Sequence, residues 1–162
     1  MADANLFRKA WSRFATGVSV VTTIERDGNV HGMAANGIAS VSLDPLLVLI
    51  CVGHNRSSHL LIKESGRFCI NILNEGQQDV GEYYAQPPER RTTETPATVV
   101  YTNSGSASFE GSLASMDCQV VNQYIAGDHT IFIAEVDEIT VSDGRPLIFF
   151  DGKWDSLAEN DS

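Results

Sequence analysis

Hydrophobic and polar positions alternate in several short segments of the chain, which end at turn residues. A period of two is typical of β-strands with one buried face. Asp27-Gly28 predicts a tight hairpin and Asp44-Pro45 a turn, since proline presets the backbone φ angle. These signals predict strands at 18–24, 30–36, 46–52, 67–73, 112–125, 130–141 and 147–150, with a short one at 153–154. The fold class expected is mainly β, a small antiparallel barrel with accessory helices.

Helical periodicity is confined to three segments. Residues 4–15 place apolar side chains on one side and predict a helix that ends at Gly17. A second helix is expected from Ser57, as a plausible N-cap, to residue 65, and a third over 77–85. The polar segment 86–108, rich in Thr, Pro and Ser, predicts a mobile loop or lid.

Length and charge narrow the function classes. A chain of 162 residues corresponds to a single domain, here 1–162. With 21 acidic against 11 basic residues the net charge is −10, and no basic face for nucleic acid is visible. No apolar run approaches the roughly 20 residues of a membrane span, and the N-terminus lacks signal-peptide character. We therefore expect a cytoplasmic protein without nucleic-acid or membrane partners.

Cysteine and histidine spacing argues against a metal site. The cysteines Cys51, Cys69 and Cys118 are odd in number and widely spaced, which predicts buried free thiols. His54 and His59 have no carboxylate cluster beside them, so no metal is expected. His31 lies on a predicted hairpin strand and is expected to face solvent.

Residues 32–58 are the best candidate for a ligand site. Small and hydroxyl-bearing residues precede the apolar run 46–52, which predicts a strand buried on both faces. A polar loop with Arg56, Ser57 and Ser58 follows the strand at a predicted helix start. This order suits a flat ligand with a phosphate group, whereas the alternative is a plain strand-turn-strand.

His129 follows Gly127 and Asp128 at a turn between two long strands. Asp128 is placed to orient the imidazole, as carboxylates often do for histidine. The alternative is a surface hairpin in which Gly127 and Asp128 only make the turn. No nucleophile or phosphate-loop motif is present, so an enzyme of this sequence would depend on a cofactor.

Several motifs, in this order and spacing, resemble the flavin reductase family, the NAD(P)H-dependent partners of two-component flavin monooxygenases. They span nearly the whole chain: Phe14-Ala15-Thr16-Gly17-Val18, Gly32-Met33-Ala34-Ala35-Asn36, Ser40-Val41-Ser42-Leu43-Asp44-Pro45, Phe68-Cys69-Ile70-Asn71, Ala126-Gly127-Asp128-His129 and Gly144-Arg145-Pro146-Leu147.

The resemblance implies a split β-barrel of the FMN-binding type that dimerises, with flavin near the subunit interface. FMN or FAD would be cofactor or substrate, NADH or NADPH the hydride donor, and a flavin-dependent oxygenase the transient partner. The resemblance places seven residues along the flavin ring and ribityl chain: Met33, Ala34, Ala35, Asn36, Ser40, Val41 and Ser42. It places Asn55, Arg56, Ser57 and Ser58 at the flavin phosphate. It places His129 at the nicotinamide. Arg90 and Arg91 could contact the adenylate or phosphate.

Two positions depart from the family pattern. A hydroxyl residue is usual where Ala34 stands and a serine is frequent where Gly37 stands. Each lost hydrogen bond is worth roughly 1 kcal/mol net, which predicts a weakly held, exchangeable flavin. The alternatives to a reductase are a non-catalytic flavin-binding or storage protein and a barrel for another ligand.

Overall fold

The computed structural model describes residues 2–91 and 94–158. Its helices are α1 (Ala4–Trp11), α2 (Ser57–Ser65) and α3 (Gln78–Ala85), with 3-10 turns at Glu75–Gln77 and Pro88–Arg90. Its strands are β1 (Thr16–Gly17), β2 (Ser19–Ile24), β3 (Val30–Ala35), β4 (Ile38–Leu43), β5 (Leu46–Gly53), β6 (Arg67–Ile72), β7 (Val99–Tyr101), β8 (Ala107–Phe109), β9 (Ala114–Ala126), β10 (His129–Val141), β11 (Leu147–Phe150) and β12 (Lys153–Ser156).

A seven-stranded antiparallel sheet forms the body of the protein. Its strand order is β3-β2-β6-β9-β10-β5-β4, and β1, β11 and β12 form a small second sheet. Within the described residues β3 and β4, at the two ends of the order, do not pair, so the sheet is not closed by hydrogen bonds. The predicted mainly β fold with accessory helices is confirmed.

The main core lies on one face of the sheet. Phe68, Ile70, Phe132 and Ile50 are at most 1 % exposed and pack in one cluster with Ile62 of α2. Burial alternates along β5: Val48, Ile50 and Val52 are buried, whereas the residues between them are only half-buried. The prediction of a strand buried on both faces is therefore wrong. An apolar run alone does not reveal that one face is covered only in part.

The N-terminal helix is shorter than predicted. Asp3 caps α1 by accepting hydrogen bonds from the N–H groups of Asn5 and Leu6, and the helix ends at Trp11. Ser12 then bonds to Asp151 through side chain and backbone, which directs the chain into β1 and away from further helical turns. No residue of α1 is buried, and its apolar side chains are exposed.

The segment predicted as a mobile loop is partly ordered strand. β7 and β8 pair, and all three residues of β8 are buried. Hydroxyl groups of Thr102, Ser104 and Ser106 donate hydrogen bonds to the buried carboxylate of Asp117 on β9. This anchor is distant in sequence, so local composition does not reveal it. Thr92 and Thr93, in the same predicted loop, lie outside the described residues.

The cysteines occur as free thiols. Cys69 and Cys118 are buried and Cys51 is half-buried. Burial raises the pKa of the Cys69 thiol to about 12, with a smaller contribution from the charge of Asp117. Within residues 2–91 and 94–158, no helix combines the length and apolarity needed to cross a membrane.

Candidate functional site

A cavity of about 100 Å³ opens between β3, the start of α2 and the segment after α3. It brings together six residues predicted for the flavin site: Met33, Ala34, Arg56, Ser57, Ser58 and Arg91. They come from three places in the sequence and meet because α2 packs across β2 and β3. The two arginines and two serines give the cavity the chemistry of an anion site.

The start of α2 forms one wall of this cavity. Arg56, not Ser57, is the N-cap residue, so the helix begins one residue earlier than predicted, and the Arg56 side chain makes no capping hydrogen bond. The first N–H groups of a helix and its positive dipole end favour an anion. This wall is therefore suited to a phosphate group.

His31 lies beneath the same cavity. Its side chain is 6 % exposed, and its Nε2 is 2.7 Å from the Ser58 hydroxyl. Its Nδ1 is 3.4 Å from Glu25 Oε1. Burial and the charge of Arg91 lower the pKa of His31, and Glu25 opposes this in part. The expectation that His31 faces solvent is wrong. Strand alternation contained the signal, because His31 is two residues from Met33 and shares its face of β3.

Arg91 lies at the opposite wall, where it contacts two tyrosine rings and a backbone carbonyl. Its guanidinium carbon lies 5.1 Å from the centre of the Tyr84 ring and 5.6 Å from that of Tyr83. Its Nε donates to the Gln86 carbonyl at 3.0 Å. Burial lowers the pKa of Arg91, and the two tyrosines and Glu89 counteract this. The geometry presents a fixed cationic group to the cavity.

A second cavity of about 190 Å³ adjoins the first at Ala34 and Ala85. Ala35 and Asn36 line it, together with the aromatic pair Phe149 and Trp154, whose ring centres are 5.1 Å apart. Sequence reasoning missed residues 16–19 and both aromatic residues as lining. Only the pairing of β1 with β11 brings these segments together.

Thr16 supplies an unused polar group in this second cavity. Its hydroxyl oxygen is buried and has no hydrogen-bond partner among the residues that the structure describes. A buried hydroxyl without a partner is costly, so a ligand group that bonds to it stabilises the site. A polar edge on an otherwise flat apolar ring, such as the flavin ring has, fits this wall.

The predicted contact between Asp128 and His129 is present. Asp128 Oδ1 accepts a hydrogen bond from His129 Nδ1 at 2.7 Å, and Gly127 makes the turn with φ of +64°. The hydrogen bond and charge of His129 lower the pKa of Asp128. His129 is half-exposed and lies opposite Gly53 in the β5–β10 register.

The loop after β5 joins this turn to the first cavity. The His54 N–H donates to the Asp128 carbonyl at 2.9 Å. A Cβ on Gly53 would lie 3.0 Å from Asn55 Oδ1, 3.6 Å from His129 Nε2 and 3.7 Å from Arg56 Cγ. The Asn55 and His129 side chains therefore converge over Gly53.

His54 and His59 share a hydroxyl group. Their Nε2 atoms lie 3.0 and 2.9 Å from Thr130 Oγ1. Burial lowers the pKa of His59, with smaller effects from His54 and Lys63. Among the described residues, no group of three or more His, Cys, Asp or Glu side chains is arranged to hold a metal ion.

Ser40, Val41 and Ser42 lie on the edge strand β4 and line neither cavity. Ser40 pairs with Val48 and Ser42 with Leu47, so Val41 is the extra residue of a bulge. Their predicted contact with the flavin stays a prediction.

Comparisons with known proteins identify the family of the chain. Residues 11–158 match the family described as flavin reductase like domain. An NADH-dependent flavin reductase of a Rhodococcus species is 39 % identical over 153 residues, 93 % of this chain and 84 % of that protein. HsaB of Mycobacterium tuberculosis, the reductase subunit of a flavin-dependent monooxygenase, is 35 % identical over 161 residues, 96 % of this chain and 83 % of that protein.

Solved structures show the same likeness. The flavin reductase PheA2 in its native state superposes with a TM-score of 0.89 at 40 % identity, covering 98 % of this chain and 100 % of that one. The predicted family, and with it an oxidoreductase that uses flavin and a nicotinamide nucleotide, is confirmed. The chain belongs to the flavin reductase like domain family.

Proposed function

We propose that this protein, as a single domain, transfers hydride from NADH or NADPH to FMN or FAD and supplies the reduced flavin to a partner flavin-dependent oxygenase. The observation that carries the proposal is the pair of cavities joined at Ala34. One is mainly apolar and aromatic, and the other holds two arginines and a helix N-terminus. Flavin nucleotides likewise have a flat ring at one end, which suits the apolar cavity, and a phosphate farther along, which suits the cavity with the arginines.

The residues of the chain divide the binding task. Met33, Ala34, Ala35 and Asn36 would lie along the ring and ribityl chain, and Thr16 would meet a polar edge of the ring. Asn55, Arg56, Ser57 and Ser58 would hold the phosphate. Bound flavin would supply the hydride acceptor, and the nicotinamide nucleotide would supply the hydride. The protein orients the two rings and excludes water, which is the usual contribution of a protein to cofactor chemistry.

His129 would position the nicotinamide nucleotide. Its hydrogen bond to Asp128 keeps the proton on Nδ1 and leaves Nε2 on the side of Gly53 and Asn55. A ligand in the flavin cavities would reach the same loop through Arg56. His129 thus lies where a second nucleotide can approach the first.

Arg91 would extend the site beyond the first phosphate. Its planar group stacks on Tyr83 and Tyr84 and faces the cavity that contains Arg56. Such a group can pair with a second phosphate or stack with an adenine ring. FAD presents both features and FMN neither, so Arg91 supports use of FAD alongside FMN.

A homodimer with a split barrel in each protomer completes the proposal. Leu43 is 85 % exposed, and Val41 and Leu46 beside it are 46 % and 43 % exposed. Contiguous exposed apolar side chains mark interaction surfaces. A partner copy against β4 and β5 would cover them and bring Ser40 and Ser42 to the subunit interface, where the flavin is expected.

A matrix of both flavins against both nicotinamide nucleotides tests the function by following nicotinamide oxidation at steady state. The proposal predicts turnover that depends on added flavin. No turnover with any of the four pairs would contradict it. A flavin that copurifies tightly and is reduced by neither nucleotide would instead favour a storage protein. A colourless protein that does not quench flavin fluorescence would favour another ligand.

A further inference from the structure

Glu25, His31 and Ser58 form a line of polar contacts that ends in the arginine-containing cavity. Glu25 lies near His31 Nδ1, and His31 Nε2 lies 2.7 Å from Ser58 Oγ. His31 and Ser58 are 6 % and 3 % exposed, and both line the cavity. Phosphate binding in this cavity gives Ser58 a role but does not explain why His31 lies beside it.

The proton positions along this line follow from donor chemistry. A carboxylate only accepts hydrogen bonds, so Nδ1 of His31 keeps its proton toward Glu25. In neutral His31 the other nitrogen, Nε2, must then accept, and the Ser58 hydroxyl donates to it. That hydroxyl has one proton, which is no longer available to an anion in the cavity.

Protonation of His31 reverses the second hydrogen bond. Nε2 then carries a proton and donates to Ser58 Oγ, and the Ser58 hydroxyl is free to donate into the cavity. We propose that His31 is a positioning residue for the flavin phosphate: it takes up one proton from solvent when the phosphate binds, and so turns Ser58 into a donor. The proposal rests on the assignment of this cavity to the flavin phosphate.

The charged and titratable groups around His31 support this coupling. Glu25 faces it from the end of the β2–β3 hairpin, Arg56 from the start of α2, Tyr84 from α3 and Arg91 from the following segment. Burial and the charge of Arg91 lower the pKa of His31, which favours its neutral form. A bound phosphate offsets the arginine charges and favours the imidazolium.

The sign of the pH dependence follows. The pKa of His31 is lower in the free protein than with phosphate bound, so binding takes up protons between these two values. Affinity for a phosphate-bearing flavin is highest below the free-state pKa and falls as pH rises toward the bound-state pKa. The limit is about tenfold per pH unit for one coupled proton.

The test compares FMN with riboflavin, which has no phosphate, in wild type, His31→Gln and His59→Gln. Dissociation constants are measured between about pH 6 and pH 8, the range in which histidine titrates. As pH rises, wild type and His59→Gln should lose FMN affinity more steeply than His31→Gln. For riboflavin, the pH dependence of affinity should be the same in all three proteins. His59 is the matched control, because it is a second histidine of lowered pKa on α2 that bonds to Thr130. The ionisation of FMN itself contributes equally to every protein variant, because the variants are compared with the same ligand, and so it does not affect the difference between their slopes.

Each other result has a defined meaning. Equal FMN slopes in wild type and His31→Gln would overturn the role of His31 while leaving the phosphate site intact. Riboflavin binding as tightly as FMN would instead reject the phosphate site. Ser58→Ala keeps the effect of the arginine charges on His31 but loses the hydroxyl between His31 and the phosphate, so its slope should lie between those of wild type and His31→Gln. A wild-type slope in Ser58→Ala would overturn the relay. If a variant fails to fold, the ¹⁵N chemical shift of His31 Nε2 can be measured in the wild-type protein. It should move to the value of a protonated nitrogen when FMN binds and should not do so with riboflavin. An unchanged shift with FMN would overturn the proposal.

Discussion

His129 Nδ1 donates to Asp128 Oδ1 at 2.7 Å, across two consecutive residues of the β9–β10 turn. The His129 ring is thereby oriented with Nε2 toward Gly53, on the strand that pairs with β10. Both side chains are accessible, since His129 is 48 % and Asp128 94 % exposed. An oriented, accessible imidazole beside the loop of Asn55 and Arg56 is a contact point for a ligand that arrives from solvent.

Replacing His129 by Ala should raise the KM for the nicotinamide nucleotide roughly tenfold, the equivalent of one hydrogen bond lost from a binding site. The KM for flavin should change much less. Steady-state kinetics with each substrate varied in turn measures both values. Asp128→Asn keeps the imidazole and should give a smaller change in the same direction. An unaltered nicotinamide KM in His129→Ala would refute the role of His129.

Arg56→Ala should weaken FMN binding about 10- to 100-fold, because a hydrogen bond to a charged group contributes about 1.5–3 kcal/mol. Arg56→Lys should recover part of the lost FMN affinity. The difference in FMN affinity between wild type and Arg56→Ala should become smaller at high salt. Fluorescence quenching gives the dissociation constants. The matched control is Arg26→Ala, since Arg26 is 85 % exposed and pairs with Glu64. An equal loss of riboflavin affinity in Arg56→Ala would argue against a phosphate contact.

Ala34→Thr should tighten flavin binding about fivefold, which corresponds to one net hydrogen bond of about 1 kcal/mol. Ala34 lines both cavities, so a hydroxyl at this position would face ligand on either side. Flavin dissociation constants test this directly. The KM for the nicotinamide should stay the same. A weaker flavin complex would show that the cavity lacks space for the hydroxyl.

Gly32→Ala should lower the free energy of unfolding by about 1–3 kcal/mol, the usual cost of overpacking. The new Cβ would lie 2.6 Å from Cε1 of the buried Tyr84 ring. Gly17→Ala is the control, because a Cβ at Gly17 meets nothing within 4 Å. Urea unfolding of both variants measures the difference. Equal stability of the two would mean that Tyr84 moves without cost.

Stability should fall as pH decreases below about 6.5, the ordinary pKa of histidine. The pKa of His31 and that of His59 are both lowered, mainly by burial. The unfolded chain therefore binds more protons than the folded one in the range between the lowered and the ordinary pKa values. Urea midpoints at about pH 8 and pH 5.5 measure this effect. His59→Gln should reduce the difference between them; an unchanged difference would exclude a contribution from His59.

The predictions that held relied on short-range signals. Period-two alternation located β6, β9 and β10, strand propensity located β2, and the Asp27-Gly28 dipeptide located the hairpin that leads into β3. The Asp128–His129 contact joins neighbours in sequence, so it needed no tertiary information. The family motifs identified the family because their order along the chain is itself sequence information.

Burial and convergence were decided by the tertiary structure. His31 is buried because α2 packs across β3 and places Ser58 against the imidazole. The first residue of α2 lies 26 positions after His31 in the sequence. Residues 86–108 contain strands because hydroxyl groups reach Asp117, and the aromatic wall of the second cavity forms because β1 pairs with β11. By itself the sequence determined eight of the twelve strands that the described residues contain, the family and which residue types could meet a flavin. Only the packing of distant segments decided which of them share a cavity, because those contacts depend on pairing and burial that no local pattern encodes.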